Sequence, residues 1–434
     1  MDKMADVLGR AGAWCGQNKY LSAIKNAFQN FMPLTIAGAI GVLWCNVLVN
    51  ESTGLGIFFK PIMALEFLNP AFQAVNFCTI SCITVGITLG IAQEIGVWNM
   101  GAERAGYIPG LVGLAAWLSV TNTSHMVEGA KEAFTGIAGN ELGATGLFTG
   151  MIIGVLSVEL FCFFEKQDAL KIKMPEQVPP GVARAFEVLV PATITLIITA
   201  CIGSACYNLT GLYLNDVIKN GIQGPLGAVG ATIPGVMIIY LVIMLFWLVG
   251  IHGNNMLSAV KEALFTPLAL ENVEKFNKGE KPTNIINMYF LQMCGEFGGS
   301  GVTIGLVIAI MIFGKREDNK AIATLSLVPG LFNINETVTF GIPMVLNPIL
   351  GIPFVFACLV TILVGYVLTV IGFCPVACLT VPWTTPPIVF GFLACGANVM
   401  GAVTQAILIV VSTVIYTPFL ISYEKYQNKQ AAEA

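Results

Sequence analysis

Charge is the property that this sequence lacks most. Asp, Glu, Lys and Arg make up 11% of its 434 residues, less than half of the roughly 25% that is usual in a soluble domain. Histidine is nearly absent, with two residues, and no basic stripe that would bind nucleic acid is present. Low charge, together with 56% hydrophobic residues, argues against a set of soluble domains and against a nucleic-acid-binding protein.

The absence of charge is concentrated in long runs. No Asp, Glu, Lys or Arg occurs in residues 26–50, 67–93, 188–215, 220–260, 297–314 and 337–423. A membrane helix needs about 20 mostly apolar residues, whereas a buried helix of a soluble core rarely exceeds about 14. All of these runs except 297–314 are long enough to span a bilayer, so the sequence predicts an all-α, polytopic integral membrane protein.

Metal and cofactor sites are not predicted. The cysteines lie mostly in apolar segments, where Cys most simply serves as a small packing residue. Cys374 and Cys378 lack the spacing of a metal-binding pair. The sequence also has no phosphate-binding loop and no nucleotide site. We therefore expect no metal and no cofactor.

The charged loops predict the orientation of the chain, because Lys and Arg accumulate in short cytoplasmic loops. Lys425 and Lys429 follow the last apolar run. Basic residues also precede the first run, at Lys3, Arg10, Lys19 and Lys25. Both termini are therefore predicted to be cytoplasmic, with residues 1–25 forming an amphipathic segment and residues 424–434 a tail. The loop 121–142 has an acidic excess and is predicted to lie outside.

The apolar runs also predict the positions of the spans. These cover residues 27–49, 70–93, 107–120, 143–164, 187–207 and 226–250, and two more lie within 337–423 on either side of a proline-rich interruption near 375–387. Simple crossings fail between residues 250 and 343, where two charged segments enclose only one clear apolar run. Polar, glycine-rich backbone is a candidate for re-entry there, since membranes tolerate such backbone only where protein or a cavity surrounds it. Such stretches are 250–255, 295–301 and 329–343.

Polar side chains inside apolar spans are costly and mark candidate functional positions. His252, Asn254 and Asn255 end the charge-free run 220–260, and Gly253 would let a ligand approach the backbone closely. The alternative interpretation is an ordinary helix end, at which Gly and Asn act as capping residues. A histidine together with paired asparagines inside such a run favours a binding site.

Glu336 stands directly before the longest charge-free run. A carboxylate there needs donors, and sugar hydroxyls are good ones because an ionised carboxylate accepts strong O–H hydrogen bonds. The alternative is an exposed loop residue beside the membrane surface. Glu296 is a further candidate with weaker support, whereas Arg104 and His125 are interpreted as surface groups.

Trp383 and Thr384 lie in the proline-rich segment VPWTTPP, residues 381–387. An aromatic face with adjacent hydroxyls suits a sugar ring, whose C–H face is apolar and whose rim is polar. An interfacial tryptophan, which is common in membrane proteins, explains the same pattern. The residues alone leave both interpretations open.

Two segments resemble the signature regions of a known family: GIHGNN at 250–255 and NETVTFGIP at 335–343, the latter followed by Asn347 and Pro348. The segment FMPLTIAGA at 31–39 is similar to the family's first span. The family is that of the sugar-translocating enzyme IIC components of the bacterial phosphotransferase system, in the lactose, cellobiose and diacetylchitobiose group. Within this group the chain is most similar to diacetylchitobiose transporters. ERAGY at 103–107 differs from the cellobiose type, and the sugar stays open between the two.

This resemblance implies about ten transmembrane helices and two re-entrant hairpins, arranged in two halves in a bacterial plasma membrane. Residues 26–207 would form the dimerisation scaffold of a homodimer. Residues 226–423 would enclose a disaccharide, and residues 208–225 would connect the halves as a hinge.

The resemblance also implies roles for individual residues. The sugar's primary hydroxyl would be phosphorylated by a phosphocysteine on a separate IIB protein, which a separate IIA protein supplies. His252 and Glu336 would contact the sugar near this hydroxyl, with Asn254, Asn255 and Asn335 as hydrogen-bonding walls. This chain would thus supply the sugar site of a phosphotransferase, while the phosphate donor lies on another protein.

The competing class is an ion-coupled secondary sugar symporter without phosphorylation, because buried His and Glu also relay protons. The product separates the two classes, since a symporter delivers free sugar and a phosphotransferase permease delivers sugar phosphate. A channel is disfavoured because the sequence has no repeated pore motif.

Overall fold

A computed structural model of the chain describes residues 17–51, 59–125, 134–175, 177–225, 230–342 and 347–433, together with Arg10, Trp14, Gly56 and Met344. Most of the predicted N-terminal segment 1–25, part of the loop 121–142, and Pro343 of the second signature segment lie outside the described residues. The described chain is predominantly helical, as its composition predicts.

Up to residue 225 the chain forms α1 (Lys19–Leu43), α2 (Asn69–Asn76), α3 (Ile83–Met100), α4 (Ala102–Ala105), α5 (Ile108–Val120), α6 (Gly139–Leu142), α7 (Ala144–Glu165), α8 (Pro180–Thr210) and α9 (Leu214–Ile218). Short 3₁₀ helices (Lys60–Leu68 and Asp168–Leu170) and π-helical turns (Trp44–Leu48, Phe77–Ser81 and Lys219–Gln223) lie between them. Two short antiparallel strands also pair, β1 (Ser124–His125) and β2 (Phe134–Thr135).

The second part of the chain forms α10 (Ile233–Leu248), α11 (Gly253–Met256), α12 (Ser258–Asn277), α13 (Met288–Gly295), α14 (Ile304–Phe313), α15 (Glu317–Leu331), α16 (Glu336–Gly341), α17 (Gly351–Val370), α18 (Val389–Ala394) and α19 (Val399–Glu433). A 3₁₀ turn, Ser300–Val302, separates α13 from α14. The proline-rich interruption predicted near 375–387 is present, since only α18 lies between α17 and α19.

Five helices in the described residues are long and apolar enough to cross a membrane, or seven if each of two bent helix pairs counts as one span. The five are Lys19–Leu48, Ala144–Glu165, Pro180–Thr210, Gly351–Val370 and Val399–Glu433. Shorter apolar helices, Ile108–Val120 and Ile233–Leu248, match two further predicted spans. The helical membrane class follows from these elements, whereas the total of ten spans stays a prediction.

The predicted continuous span 70–93 is wrong in one respect, because the chain breaks within it. Cys82 leaves helical geometry (φ −107°, ψ 20°), and the segments before and after it are bent by 42°. The break lies where the chain packs closely on α1. A Cβ added to Gly38 would lie 2.3 Å from Thr79 Oγ1 and 2.7 Å from Ile80 Cγ1. Close packing on α1 thus accompanies a break that hydrophobicity does not reveal.

The contacts divide the chain into two compact units. The smaller unit comprises Gln17–Gly38 and Ala74–Gly227, and the larger unit comprises Ala39–Gln73 and Ala228–Ala434 with the described N-terminal residues. This division rests on packing contacts and does not test the functional roles that were predicted for the residues on either side of 208–225. Those roles stay a prediction.

The smaller unit is built on regular helices, with α3, α5, α7 and α8 packed against one another. Trp117 is 1% exposed and lies in a cluster with Ala116, Val120 and Ile153. Small residues let the helices approach, as they do in other membrane proteins. A Cβ on Gly113, for example, would lie 2.3 Å from that of Ala92.

The larger unit is built on shorter, interrupted helices. In it α14 and α17 pack on α19, and α10 and α13 pack on α17. Its central irregular stretch is residues 295–302, which we call the glycine junction. The segment Met288–Val302, which ends with the junction, and the helix Ile304–Phe313 are bent by 59° relative to each other. The apolar run 297–314 is therefore no straight span, which agrees with the irregular backbone predicted at 295–301.

Candidate functional site

His252 lies at the start of the short helix α11. The long helix α10 ends at Leu248, and Gly250 then turns the chain in the left-handed region (φ 81°). The Nδ1 atom of His252 accepts a hydrogen bond from the backbone N–H of Asn255 at 3.2 Å. Because this nitrogen acts as an acceptor, the neutral imidazole carries its hydrogen on Nε2. His252 therefore caps α11 through Nδ1, while its Nε2–H remains available as a hydrogen-bond donor.

The surroundings of His252 hold its ring in place. The Trp247 ring lies 4.4 Å from it, centre to centre, and the Phe354 ring lies edge-to-face with Trp247 at 6.5 Å. Gly253 is buried, and a Cβ there would lie 2.0 Å from the carbonyl oxygen of Ile243. The predicted role of Gly253 in close approach therefore has a cause within the fold, since the chain after His252 packs directly on α10.

Glu336 opens α16 and faces His252. The Nε2 atom of His252 lies 3.9 Å from Oε1 of Glu336, and the two side chains are 38% and 48% exposed. This distance is too long for a direct hydrogen bond. A hydroxyl oxygen placed to one side of the line that joins the two atoms would lie about 2.8 Å from each. The two polar residues with the strongest support from sequence are thus brought together across a gap of one ligand atom.

Three glycines of the glycine junction have a left-handed backbone, and Val302 at its end also has a positive φ (50°). Gly298, Gly299 and Gly301 adopt φ values of 68°, 89° and 74°, where an L-residue is strained. A Cβ on Gly299 would lie 2.5 Å from the Cβ of Asn335, and one on Gly301 would lie 2.4 Å from the Phe354 ring. Glycine is required here both by the conformation and by what packs against it.

Both signature segments are hydrogen-bonded to this junction. The amide nitrogen of Asn254 donates to Ser300 Oγ at 2.9 Å, and that of Asn335 donates to the Ser300 carbonyl at 2.8 Å. The Asn333 side-chain oxygen accepts from the Gly298 N–H at 2.6 Å. Ser300 is therefore the residue at which the two segments meet, although they are far apart in sequence.

The predicted wall residues differ in exposure. Asn335 is 4% exposed and is engaged with the junction, so its side chain supports Glu336 from behind. The Oδ1 atom of Asn254 is buried and has no hydrogen-bond partner among the described residues. Asn255 is exposed, and its backbone N–H donates to His252 Nδ1, so that the histidine caps α11.

The proline-rich loop reaches the same region through Asn333. The Asn333 amide donates to the carbonyl oxygens of Trp383 and Thr385, and its own backbone is left-handed (φ 62°), a conformation that asparagine tolerates. Trp383 is 43% exposed, and Thr384 is half-buried. The loop that presents the tryptophan is thus tied to the segment that carries Glu336.

Sequence reasoning missed Lys261 and Tyr240 and gave Glu296 too little weight. Lys261 of α12 forms an ion pair with Glu296 of the junction, with side chains 7% and 19% exposed. The Tyr240 hydroxyl donates to the same carboxylate at 2.7 Å. The available signal was that Lys261 and Glu296 each stand at the end of a charge-free run, and sequence reasoning treated Lys261 only as such a boundary.

Arg104 and His125, interpreted as surface groups, lie in the smaller unit. His125 Nε2 is 3.1 Å from the Asn122 carbonyl oxygen. Arg104 is half-exposed but pairs with the buried Glu165 at 2.8 Å, so it is more than a free surface charge. Among the described residues, no group of three or more His, Cys, Asp or Glu side chains could hold a metal ion.

The comparisons with known proteins agree with one another. The family model described as "Phosphotransferase system, EIIC" matches residues 25–358. The oligo-beta-mannoside-specific EIIC component of Bacillus subtilis (strain 168) is 33% identical over 98% of this chain and 94% of its own length. The cellobiose-specific EIIC component of Lactococcus lactis subsp. lactis (strain IL1403) is 29% identical over 98% of both chains.

A solved structure has the same fold. It is the transporter ChbC, the IIC component from the N,N'-diacetylchitobiose-specific phosphotransferase system, with a TM-score of 0.88, 29% identity and 97% of each chain covered. The chain described here belongs to the phosphotransferase system EIIC family. It is accordingly a sugar permease component of that system in the bacterial plasma membrane, and the alternative of an ion-coupled symporter is rejected.

Proposed function

We propose that the chain binds a disaccharide of the diacetylchitobiose or cellobiose type and holds its primary hydroxyl between His252 and Glu336 for phosphorylation by phospho-IIB. The observation that carries this proposal is the gap of 3.9 Å between His252 Nε2 and Glu336 Oε1. A pair that served structure alone would be expected to close to hydrogen-bond distance. An open, partly exposed pair of a donor and an acceptor suits a hydroxyl, which both donates and accepts.

The tautomer of His252 divides the roles. Since Nδ1 is occupied by the Asn255 N–H, His252 faces the gap as a donor and Glu336 faces it as an acceptor. The sugar O–H would donate to the Glu336 carboxylate, which takes the proton as the oxygen attacks phosphorus. The new P–O bond replaces the P–S bond of the phosphocysteine, and the thiolate leaves on IIB. His252 would then hydrogen-bond to the sugar or to the arriving phosphoryl oxygens, where negative charge must be stabilised.

The identity of the sugar is proposed from relatives and from the walls of the site. The names of the relatives specify oligo-beta-mannosides, cellobiose and N,N'-diacetylchitobiose, which share a β-linked backbone. The Asn254 side chain, held by Ser300 Oγ, would form part of the wall of the site. Trp383, exposed beside Thr384, would cover the apolar face of a sugar ring. A β-linked disaccharide is the class that these features have in common.

The assembly is proposed in the same terms. Residues 26–207 would form the dimerisation scaffold, residues 208–225 the hinge, and residues 226–423 the part that carries the sugar, within ten spans and two re-entrant hairpins. Both termini, residues 1–25 and 424–434, would face the cytoplasm, where separate IIB and IIA proteins act. The location of His252, Glu336, Asn254, Asn335 and Trp383 in one compact unit supports a sugar site carried by a single moving part.

Reconstituted transport tests the proposal. Proteoliposomes containing the purified chain are given labelled diacetylchitobiose, cellobiose or a β-linked mannose disaccharide, with or without phospho-IIB regenerated by IIA and the general phosphotransferase proteins. We expect one of these sugars to appear inside as its phosphate, and only when phospho-IIB is present. Uptake of none of them, with α-linked disaccharides transported instead, would contradict the proposed sugar class.

A further inference from the structure

A buried ion pair lies beside the glycine junction, outside the residues assigned to the sugar. Lys261 pairs with Glu296, and both side chains are largely withdrawn from solvent. Tyr240 donates to the same carboxylate oxygen, and the Lys261 Nζ lies 5.5 Å from the centre of the Tyr240 ring. Burial of two charges costs solvation free energy that a packed apolar pair of similar size would avoid. The pair therefore calls for an explanation beyond stability.

The location of the Lys261–Glu296 pair suggests an explanation. Glu296 is the second residue of the junction, whose glycines have few conformational preferences of their own. Lys261 and Tyr240 hold this end of the junction from α12 and α10. The Tyr416 hydroxyl holds the other end by donating to the Gly301 carbonyl at 2.7 Å. The junction is thus fixed at both ends by side chains of the surrounding helices.

The pair also connects the two sides of the ligand gap. Lys261 lies on α12, which begins at Ser258, directly after the segment that places His252. Glu296 leads into Ser300, to which Asn335 hydrogen-bonds one residue before Glu336. The Lys261–Glu296 ion pair therefore links the segment that carries His252 with the junction to which Asn335, next to Glu336, is hydrogen-bonded.

We propose that Lys261 and Glu296 are positioning residues, whose ion pair sets the separation of His252 and Glu336 at which a sugar hydroxyl fits. This inference rests on the proposed function of the His252–Glu336 gap. Neither residue is required to touch the sugar, because the effect travels through the junction and through the start of α12. A positioning role predicts that sugar affinity depends on the length of these side chains as well as on their charge.

Glu296→Asp is the decisive variant, because it keeps both charges and shortens one side chain by a methylene. Sugar dissociation constants are measured by calorimetry in detergent with cellobiose and diacetylchitobiose, and thermal unfolding is followed in parallel. We expect Glu296→Asp to unfold near the wild-type temperature but to bind the preferred sugar about tenfold or more weakly, since small misplacements are costly. Sugar affinity within about twofold of wild type would overturn the proposal.

A second variant covers the case in which a single change destabilises the fold. Lys261→Met combined with Glu296→Met removes both charges, so no unpaired ion is left buried. We expect its thermal midpoint to be near that of wild type and its sugar binding to be about tenfold weaker. Wild-type stability together with wild-type sugar affinity in this double variant would mean that the two residues only balance each other's charge. That result would also overturn the proposal.

Two controls make the result specific. Lys275 and Glu271 form a partly exposed pair on the same helix, at 2.9 Å, and their double change to Met should leave sugar affinity unchanged. His252→Ala is measured in the same assay. If it binds sugar as tightly as wild type, the proposed site itself fails. If it binds weakly while the Glu296 and Lys261 variants bind normally, only the positioning role fails.

Discussion

The smaller unit contains a closed network of charged side chains, whereas the larger unit, besides closed pairs such as Lys261–Glu296, also contains an open pair. In the smaller unit, Arg104 and Arg184 both contact the buried Glu165, at 2.8 and 2.9 Å, and both also contact Glu187. Each of these charges has a partner at hydrogen-bond distance. In the larger unit, His252 and Glu336 face each other at 3.9 Å and are partly exposed.

The directly contacting pairs around Glu165 stabilise the fold, whereas the open pair of His252 and Glu336 is proposed to bind a ligand. Closed networks satisfy most of their own hydrogen bonds within the protein. An open pair keeps a donor and an acceptor available at a distance that one hydroxyl bridges. The predictions below test whether the two kinds of charge respond to mutation as this contrast requires.

The largest effect is expected for Glu336→Gln. The amide is nearly isosteric but cannot take the hydroxyl proton, so the rate of sugar phosphorylation at saturating phospho-IIB should fall about 10²–10⁴-fold. Sugar binding should weaken much less. The matched control is Glu187→Gln in the closed network, which should phosphorylate at the wild-type rate. Equal losses in the two variants would erase the contrast between open and closed pairs.

His252→Asn should give the next largest effect and separates the two functions of this residue. Asparagine is a good helix N-cap, so the Asn255 N–H keeps an acceptor, but its shorter side chain lacks the Nε2 donor. We expect normal thermal stability and phosphorylation slower by about 10²-fold. His125→Ala, in the smaller unit, serves as the control for histidine loss. Wild-type phosphorylation by His252→Asn would show that His252 acts only as a cap.

Gly299→Ala tests whether the junction holds the site. Its methyl group would meet the Asn335 side chain at 2.5 Å in addition to the left-handed backbone. Gly372→Ala has the same backbone strain (φ 79°) with nothing within 4 Å, and should cost only about 1–2 kcal/mol of stability. We expect both variants to lose stability and only Gly299→Ala to lose sugar affinity, by about tenfold. Calorimetric titration of the two variants side by side decides the point.

Arg104→Ala should have the smallest effect. Its side chain is 47% exposed, and pairs of this exposure contribute about 1 kcal/mol or less. Glu165 keeps Arg184 as a partner after the change. We expect a slightly lower thermal midpoint with the sugar dissociation constant unchanged. A large loss of sugar affinity would show that Arg104 of the smaller unit influences the sugar site. That result would contradict the proposed difference between closed and open pairs.

Much of the fold was predictable because charge-free length is a local property. The apolar runs predicted most of the long helices, and the polar residues that interrupt them pointed to His252, Asn254, Asn335 and Glu336. The assignment of these residues to a sugar stays a prediction, but their meeting at one junction is a fact of the structure. The pattern worked because an unpaired polar group inside an apolar run has few explanations other than function.

Other features were not predictable because they depend on partners far away in the chain. Glu296 pairs with Lys261 across 35 positions and with Tyr240 across 56, and no local pattern links them. The break at Cys82 accompanies the close approach of α1 at Gly38, which hydropathy does not register. In each case the deciding contact is between residues that the sequence separates.

By itself, the sequence determined the membrane class, the placement of the main helices and the residue types available for a site, since these follow from hydrophobicity and from the cost of burying polar groups. Only the tertiary structure decided which of these residues meet, at what distance and in which tautomer. The 3.9 Å gap between His252 and Glu336 exists because Ser300 and its neighbouring glycines bind both segments at once. Such a distance is the sum of many packing contacts, and no single segment encodes it.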